Sequence, residues 1–244
     1  MPTQISQAIS KDEKKKEDNT GHRKRVKAKF RGYGIEPLAD YEILEFLLFF
    51  CIPRKDTKTI AKEMLHVFGT LYNLMNTDID DIMRQCDVTE HAAILLTLVP
   101  QLLRKYQQSK WKHGIRLSNS KICSEYCKTL FTGKTIECLY VLCMDSNRNL
   151  IFSELVSVGT TNQTTVYMRN LVKTVLKPNI NAIILSHNHP SGVLQPSDSD
   201  IELTNKAIRL FNILGINVDD HIIVSEDRVF SLYESGLIPH WRMD

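Results

Sequence analysis

The apolar pattern of this chain changes period near residue 110, so neither a bundle of helices nor a sheet alone satisfies both halves. From Asp40 to Lys110, apolar residues recur at three- and four-residue spacing, as one face of a helix requires. Asp40 is placed to cap a helix carrying Ile43, Leu44, Leu47 and Leu48. Asp56 is placed to cap the next, with Ile60, Met64, Leu65 and Phe68 in one stripe and Gly69 as its stop. Short helical pieces follow around Leu71 to Met75 and Ile79 to Met83. A longer helix from Glu90 to Tyr106 is expected to kink at Pro100, which lacks the N–H its position needs.

Beyond the polar stretch Gln107 to Ser120, alternation of period two takes over. ECLYVLCM (137–144) and LIFSELVSV (150–158) read as strands joined by the turn-forming DSNRN. MRNLVKTVL reads as a short helix ending before Pro178, and AIILS (182–186) as a short buried strand. SDIELTNKAIRLFNIL is an amphipathic helix stopped by Gly215; INVDDHIIVS and Arg228 to Leu232 supply the last strands. Strands interleaved with helices predict an α/β fold class over residues 121–244, preceded by a small all-helical module over 21–110, a linker at 111–120 and a charged tail at 1–20.

Composition excludes several classes. With 43% hydrophobic and 24% charged residues, the chain has enough apolar surface to build a core. A formal charge of +3 is too small to argue for nucleic acid; its distribution says more. Lys11 to Arg31 is dense in charge and poor in apolar residues, which predicts a tail followed by a basic helix or arm. The longest apolar run, ILEFLLFFCI, is too short to span a bilayer and carries Glu45, so no membrane partner is expected. The polar N-terminus has no apolar signal region, and a cytoplasmic location is expected. Cys123 and Cys127, and Cys138 and Cys143, lack C-x-x-C spacing and read as buried free thiols.

The informative string is SHNHPSGVLQPSDSD, Ser186 to Asp200. Side chains two apart on a strand share a face, so His187 and His189 can present two imidazoles side by side. Pro190 ends the ladder, Ser191-Gly192 allows a sharp turn, and Ser197 opens a helix with Asp200 in its first turn. Two histidines and one carboxylate leave a tetrahedral zinc with a position open for water, the arrangement of a catalytic site. Ser197-x-x-Asp200 is also a capping box, and that role alone satisfies it.

The pattern H-x-H-P-x-G-x-x-x-P-S-x-x-D resembles the signature of the JAMM (JAB/MPN) zinc metalloenzymes, a group that includes deubiquitinating isopeptidases. HNHPSG, with VGT at Val158 to Thr160 and DDHIIV at Asp219 to Val224, looks specifically like the RadC family. GHRKRVKAKF and DYEILEFLLFFCIPRKDTKTIAKEMLHVFGTL are similar to that family's helical N-terminal module. The resemblance implies a mixed-sheet MPN (cytidine-deaminase-like) domain with Zn2+ on His187, His189 and Asp200. It implies that Ser197 orients or stabilises the reacting oxygen, and that a glutamate on the first strand carries the proton. Glu137 stands at the matching place, with Glu154 as the alternative; His221 is expected behind the ligands, not as a fourth one.

The implied function is cleavage of a peptide or isopeptide bond by zinc-activated water, with a protein or peptide as substrate. The alternative is a DNA-associated repair or recombination protein whose zinc domain is a scaffold. The basic residues from Arg23 to Arg31 would then meet nucleic acid; otherwise they are a solvated face. One departure weakens that alternative. The family's helix-hairpin-helix turn carries glycine, whereas RQCDVTEHAAIL, Arg84 to Leu95, has none. A zinc nucleobase deaminase is excluded, because H-x-E followed by P-C-x-x-C is absent.

Overall fold

The computed structural model describes residues 21–53, 55–111, 115–159 and 164–238. The expected tail at 1–20, part of the expected linker and Thr160 of the VGT motif lie outside the described residues. The chain divides into two compact units between Pro100 and Gln101. No helix among the described residues is long and apolar enough to cross a membrane.

The first unit is helical: α1 (residues 21–33), α2 (Asp40–Cys51), α3 (Thr57–Phe68), α4 (Leu71–Met75) and α5 (Ile79–Gln85). α6 (Glu90–Ser109) crosses the division and runs on through Pro100. The core takes Leu44, Leu48 and Met64 from the predicted stripes and adds Ala61, Leu74, Ile82, Ala92 and Leu96. Asp56 caps α3 through Lys58 N–H, and Gly69 ends it at φ 78°. The expected Asp40 cap is corrected to Ala39, whose side chain bonds nothing; the Glu42 carboxylate accepts the Ala39 N–H at 3.0 Å instead. The basic segment is partly committed to this core. Arg23 donates to Ile52 O at 2.6 Å and Lys55 O at 2.9 Å, and Lys29 pairs with Glu42 at 3.0 Å. Glu45, the charge within the apolar run, is buried and meets His22 Nε2 at 3.0 Å.

The second unit is a five-stranded mixed sheet between helices, as the α/β expectation required. Its elements are α7 (Ser120–Phe131), β1 (Cys138–Met144), β2 (Leu150–Val158), α8 (Thr164–Val175), β3 (Ala182–Asn188), α9 (Asp198–Ile213), β4 (Asn217–Ser225) and β5 (Arg228–Ser231). Strand order is β2-β1-β3-β4-β5, with β3 and β4 parallel and the other pairs antiparallel. Both faces of β1 and β3 are covered, which is why they read as nearly continuous apolar runs. Leu139, Val141, Cys143, Ile183 and Leu185 pack with Leu171 and Val175 of α8 and with Leu203, Ala207 and Phe211 of α9. Cys138, Leu142, Met144, Ala182 and Ile184 pack with Cys127, Leu130 and Phe131 of α7.

α7 has no counterpart in the sequence reading. Asn119 caps it by accepting the Ile122 N–H at 2.9 Å, and Cys123, Cys127, Leu130 and Phe131 line its inner face. Leu117, within the expected linker, is buried, and its N–H donates to Arg148 O at 2.9 Å. All the cysteines are free, and burial pushes the Cys123 and Cys143 thiols up to about 12. Protonated thiols of that kind are packing groups, not metal ligands.

Candidate metal centre

β3 runs two residues past the predicted AIILS, so His187 lies inside the strand and His189 just beyond it. The ladder nevertheless continues, since His189 N–H donates to Val224 O of β4 at 2.9 Å. Both imidazoles therefore leave the same face, with ring centroids 4.6 Å apart. After Pro190 the chain doubles back at Gly192, whose φ of 86° suits a residue without a Cβ. Arg228 holds the loop by donating to Gly192 O at 3.0 Å. The returning loop presents Val193 O to His189 Nδ1 at 2.8 Å. A carbonyl can only accept, so Nδ1 carries the proton and Nε2 of the neutral ring keeps its lone pair.

Asp200 comes from α9 for a periodic reason. Residues 200, 203, 204, 207, 208 and 211 form one helical stripe, and the last five of these are buried. Asp200 continues that stripe at the N-terminal end, beside the carboxyl end of β3. The capping box fixes it: Asp200 Oδ2 accepts Ser197 N–H at 2.8 Å and Ser197 Oγ–H at 2.6 Å. Its Oδ1 lies 3.3 Å from His187 Nε2, and its Oδ2 lies 3.6 Å from His189 Nε2.

The two Nε2 atoms are 2.8 Å apart, and the three ligand-type atoms all lie within 4.8 Å of one another. His187 is nearly sealed at 4% side-chain exposure, while His189 and Asp200 keep 13%. His187 is thus the inner member of the group, while His189 and Asp200 keep some contact with solvent. Burial pushes the Asp200 carboxyl up, but hydrogen bonds from His187 and His189 outweigh it and hold Asp200 well below its ordinary range. His189 is raised, first by its hydrogen bond to Asp200. His187 Nε2, His189 Nε2 and the Asp200 carboxylate converge on one point, and the hydrogen bonds to Asp200 hold only while a ring nitrogen there carries a proton. Either a shared proton or a cation must fill that position, so the donor set fits a metal ion.

Glu137 immediately precedes β1 and is half-buried, and its charge helps raise His189. Its backbone is held on both flanks by Asn188, which faces away from the histidines. Asn188 Oδ1 accepts Cys138 N–H at 2.8 Å, and Nδ2 donates to Ile136 O at 3.2 Å. Glu154 is engaged elsewhere. Its carboxylate accepts from Lys177 at 2.8 Å and Thr174 at 3.1 Å, and the Lys177 bond holds it below its ordinary range. His221 is buried behind His187, its Nε2 2.8 Å from His187 Nδ1 and its Nδ1 2.6 Å from Thr204 Oγ1. Burial, then the neighbouring His187, keeps its pKa well below the ordinary histidine value.

Sequence reasoning missed Asn188 and Thr204. A buried amide between two histidines must find partners on the opposite face, which was the available signal for Asn188. Thr204 gives a weaker one: it stands one turn after Asp200, on the same inner stripe.

Comparison with known proteins agrees with this architecture. A family model described as RadC-like JAB domain matches residues 117–237. UPF0758 protein FN0909 of Fusobacterium nucleatum subsp. nucleatum is 39% identical over 228 residues, covering 91% of this chain and 98% of that protein. With the JAB-type sheet, the His187–His189–Asp200 corner and a relative matched over nearly its whole length, the chain belongs to the RadC-like JAB domain family.

Proposed function

We propose that this protein is a zinc-dependent metallohydrolase that cleaves a peptide or isopeptide bond. The observation that carries the reading is the convergence of His187, His189 and Asp200, with ligand-type atoms within 4.8 Å of one another and two of the three side chains still touching solvent. Three protein donors are one fewer than a closed structural zinc site uses. Bound there, zinc supplies a Lewis acid that polarises a carbonyl and brings the pKa of water toward neutrality.

The chain's own residues do the rest. Glu137 takes the proton of the attacking water and passes it to the departing amine. Asn188 keeps Glu137 in place by gripping the backbone of both its neighbours. Ser197 gives its hydroxyl proton to Asp200, so its first task is to orient that carboxylate. It stands at the N-terminus of α9, whose partial positive charge favours developing negative charge on a reacting oxygen.

Metal analysis of purified protein tests the centre. Wild type is expected to hold about one zinc per chain, and His189→Ala and Asp200→Ala near none. Glu137→Gln is expected to keep the zinc but lose turnover of an isopeptide-linked peptide probe that the wild type cleaves. Full activity in that variant removes Glu137 from the mechanism, and metal-free wild type removes the centre.

A further inference from the structure

We infer that Thr204 and His221 form a relay that fixes which nitrogen of His187 faces the metal centre, making both positioning residues for it. The inference rests on reading the triad as a metal site and adds how that site is kept in a ligating form.

The proton positions follow from a chain of contacts. Thr204 has one hydroxyl proton, and Asp200 O, 2.6 Å from Oγ1, can only accept it. His221 Nδ1 lies 2.6 Å from the same oxygen and must therefore donate to it. A neutral imidazole protonated at Nδ1 keeps a lone pair at Nε2. His221 is fully buried and its ring nitrogens meet a hydroxyl and another imidazole, so a cationic ring there would lack a contacting anion. His187 Nδ1, 2.8 Å from His221 Nε2, must then donate to it. The lone pair of His187 is left on Nε2, the atom that faces His189 and Asp200.

The fold makes a local exception to place this relay. Along the β3–β4 pair, Ile183 is opposite Val218 but Ile184 is opposite Asp220, so Asp219 is an extra residue in β4. Before it, Val218 faces α8 and α9; after it, Ile222 and Val224 face α7. The shift of one residue turns His221 toward α9, where Thr204 and His187 meet it. Unshifted alternation would send His221 to the α7 side. Thr204 is also anchored to the carbonyl of Asp200, so the helical turn that presents the carboxylate also sets the histidine. Outer partners of this kind fix the tautomer and orientation of ligating histidines elsewhere.

Thr204→Val keeps the shape and removes the acceptor for His221 Nδ1, freeing that ring to carry its proton on Nε2 and reverse the relay. Zinc affinity, measured by competition with a chromophoric chelator, is expected to fall about 10- to 100-fold in Thr204→Val. Thr204→Ser restores the hydroxyl and is expected to stay within about threefold of wild type. The second readout is the nitrogen-15 spectrum of His187 in metal-free protein at alkaline pH, where the ring is neutral. Wild type and Thr204→Ser should show Nδ1–H, and Thr204→Val a shift toward Nε2–H. Wild-type affinity in Thr204→Val, with zinc binding still lost in Asp200→Ala, overturns the relay alone. If wild type binds no zinc, the metal centre fails and the spectrum decides the relay: Nδ1–H upholds it and Nε2–H overturns it. The wild-type spectrum decides it in the same way if Thr204→Val does not fold.

Discussion

Opposite ends of the β3–β4 pair each carry a cluster of charged side chains, and the two are put together by opposite rules. At the amino-terminal end, Arg148 Nη2 donates to Asp219 Oδ1 at 3.0 Å, while its Nε pairs with Oδ2. Asp220 beside it accepts from His221 N–H at 2.7 Å, Tyr233 N–H at 3.0 Å and Ser231 Oγ–H at 2.6 Å. A cation and donors meet the two carboxylates there, with Arg148 Nε and Asp219 Oδ2 joined as an ion pair without a hydrogen bond. At the carboxyl end, His187, His189 and Asp200 bring three ligand-type atoms within 4.8 Å of one another, a group that could hold a metal ion. Both clusters are charged and both reach the interior. What separates a strut from a ligand site is the balance of donors against acceptors.

The largest expected effect is a crossed pair of substitutions. Arg148→Ala leaves Asp219 buried without its cation and should cost about 3–5 kcal/mol in denaturant unfolding of the metal-free protein. Zinc bound per folded chain should persist. Asp200→Asn should remove the zinc while costing the metal-free protein less than Arg148→Ala does, since the amide keeps an oxygen to accept from Ser197. If Arg148→Ala unfolds like wild type, or Asp200→Asn is equally destabilising, the division between strut and ligand site is wrong.

The two ends also answer pH in separate windows. Burial pushes Asp219 up to about 6, although Arg148 pulls the other way. A raised carboxyl adds stability that is fully present below its ordinary value of 3.8 and lost as pH rises through about 6. His189 is also raised, by its hydrogen bond to Asp200, so the proton it holds stabilises metal-free protein below 6.5 and is lost as pH climbs through the raised value. Zinc must displace that same proton. Zinc affinity should therefore climb with pH, about tenfold per pH unit, until His189 is neutral, and then level off. Calorimetric titration across that range checks the sign, and a flat profile would mean that no proton leaves on binding.

How much of this was legible in the sequence depended on whether a signal was local. The H-x-H spacing and the Ser197 capping box are local, and their spacing alone was enough to put the triad on a strand end, β3, and a helix start, α9. Glu137 was reached through family resemblance, and its support by Asn188 needs a contact across 50 residues. The extra residue in β4 could not be read, because DDHII carries no mark of which aspartate falls out of register. α7 was missed for a different reason. Cys123 and Cys127 were weighed as possible metal ligands, while their spacing of four was the helical repeat itself.

The smallest expected effect concerns Ser197, which both caps α9 and bonds Asp200. Alanine at an N-cap costs about 0.5–2 kcal/mol, whereas glycine costs only a few tenths. Ser197→Ala and Ser197→Gly both delete the hydroxyl that grips Asp200 Oδ2. If the hydroxyl serves the ligand, both variants should lose zinc affinity by about tenfold, and the alanine variant alone should lose stability. If it serves only the helix, affinity should follow stability, leaving the glycine variant close to wild type in both. Equal loss of affinity at unequal loss of stability therefore assigns Ser197 to the ligand end of the β3–β4 pair. Matched losses assign it to the scaffold.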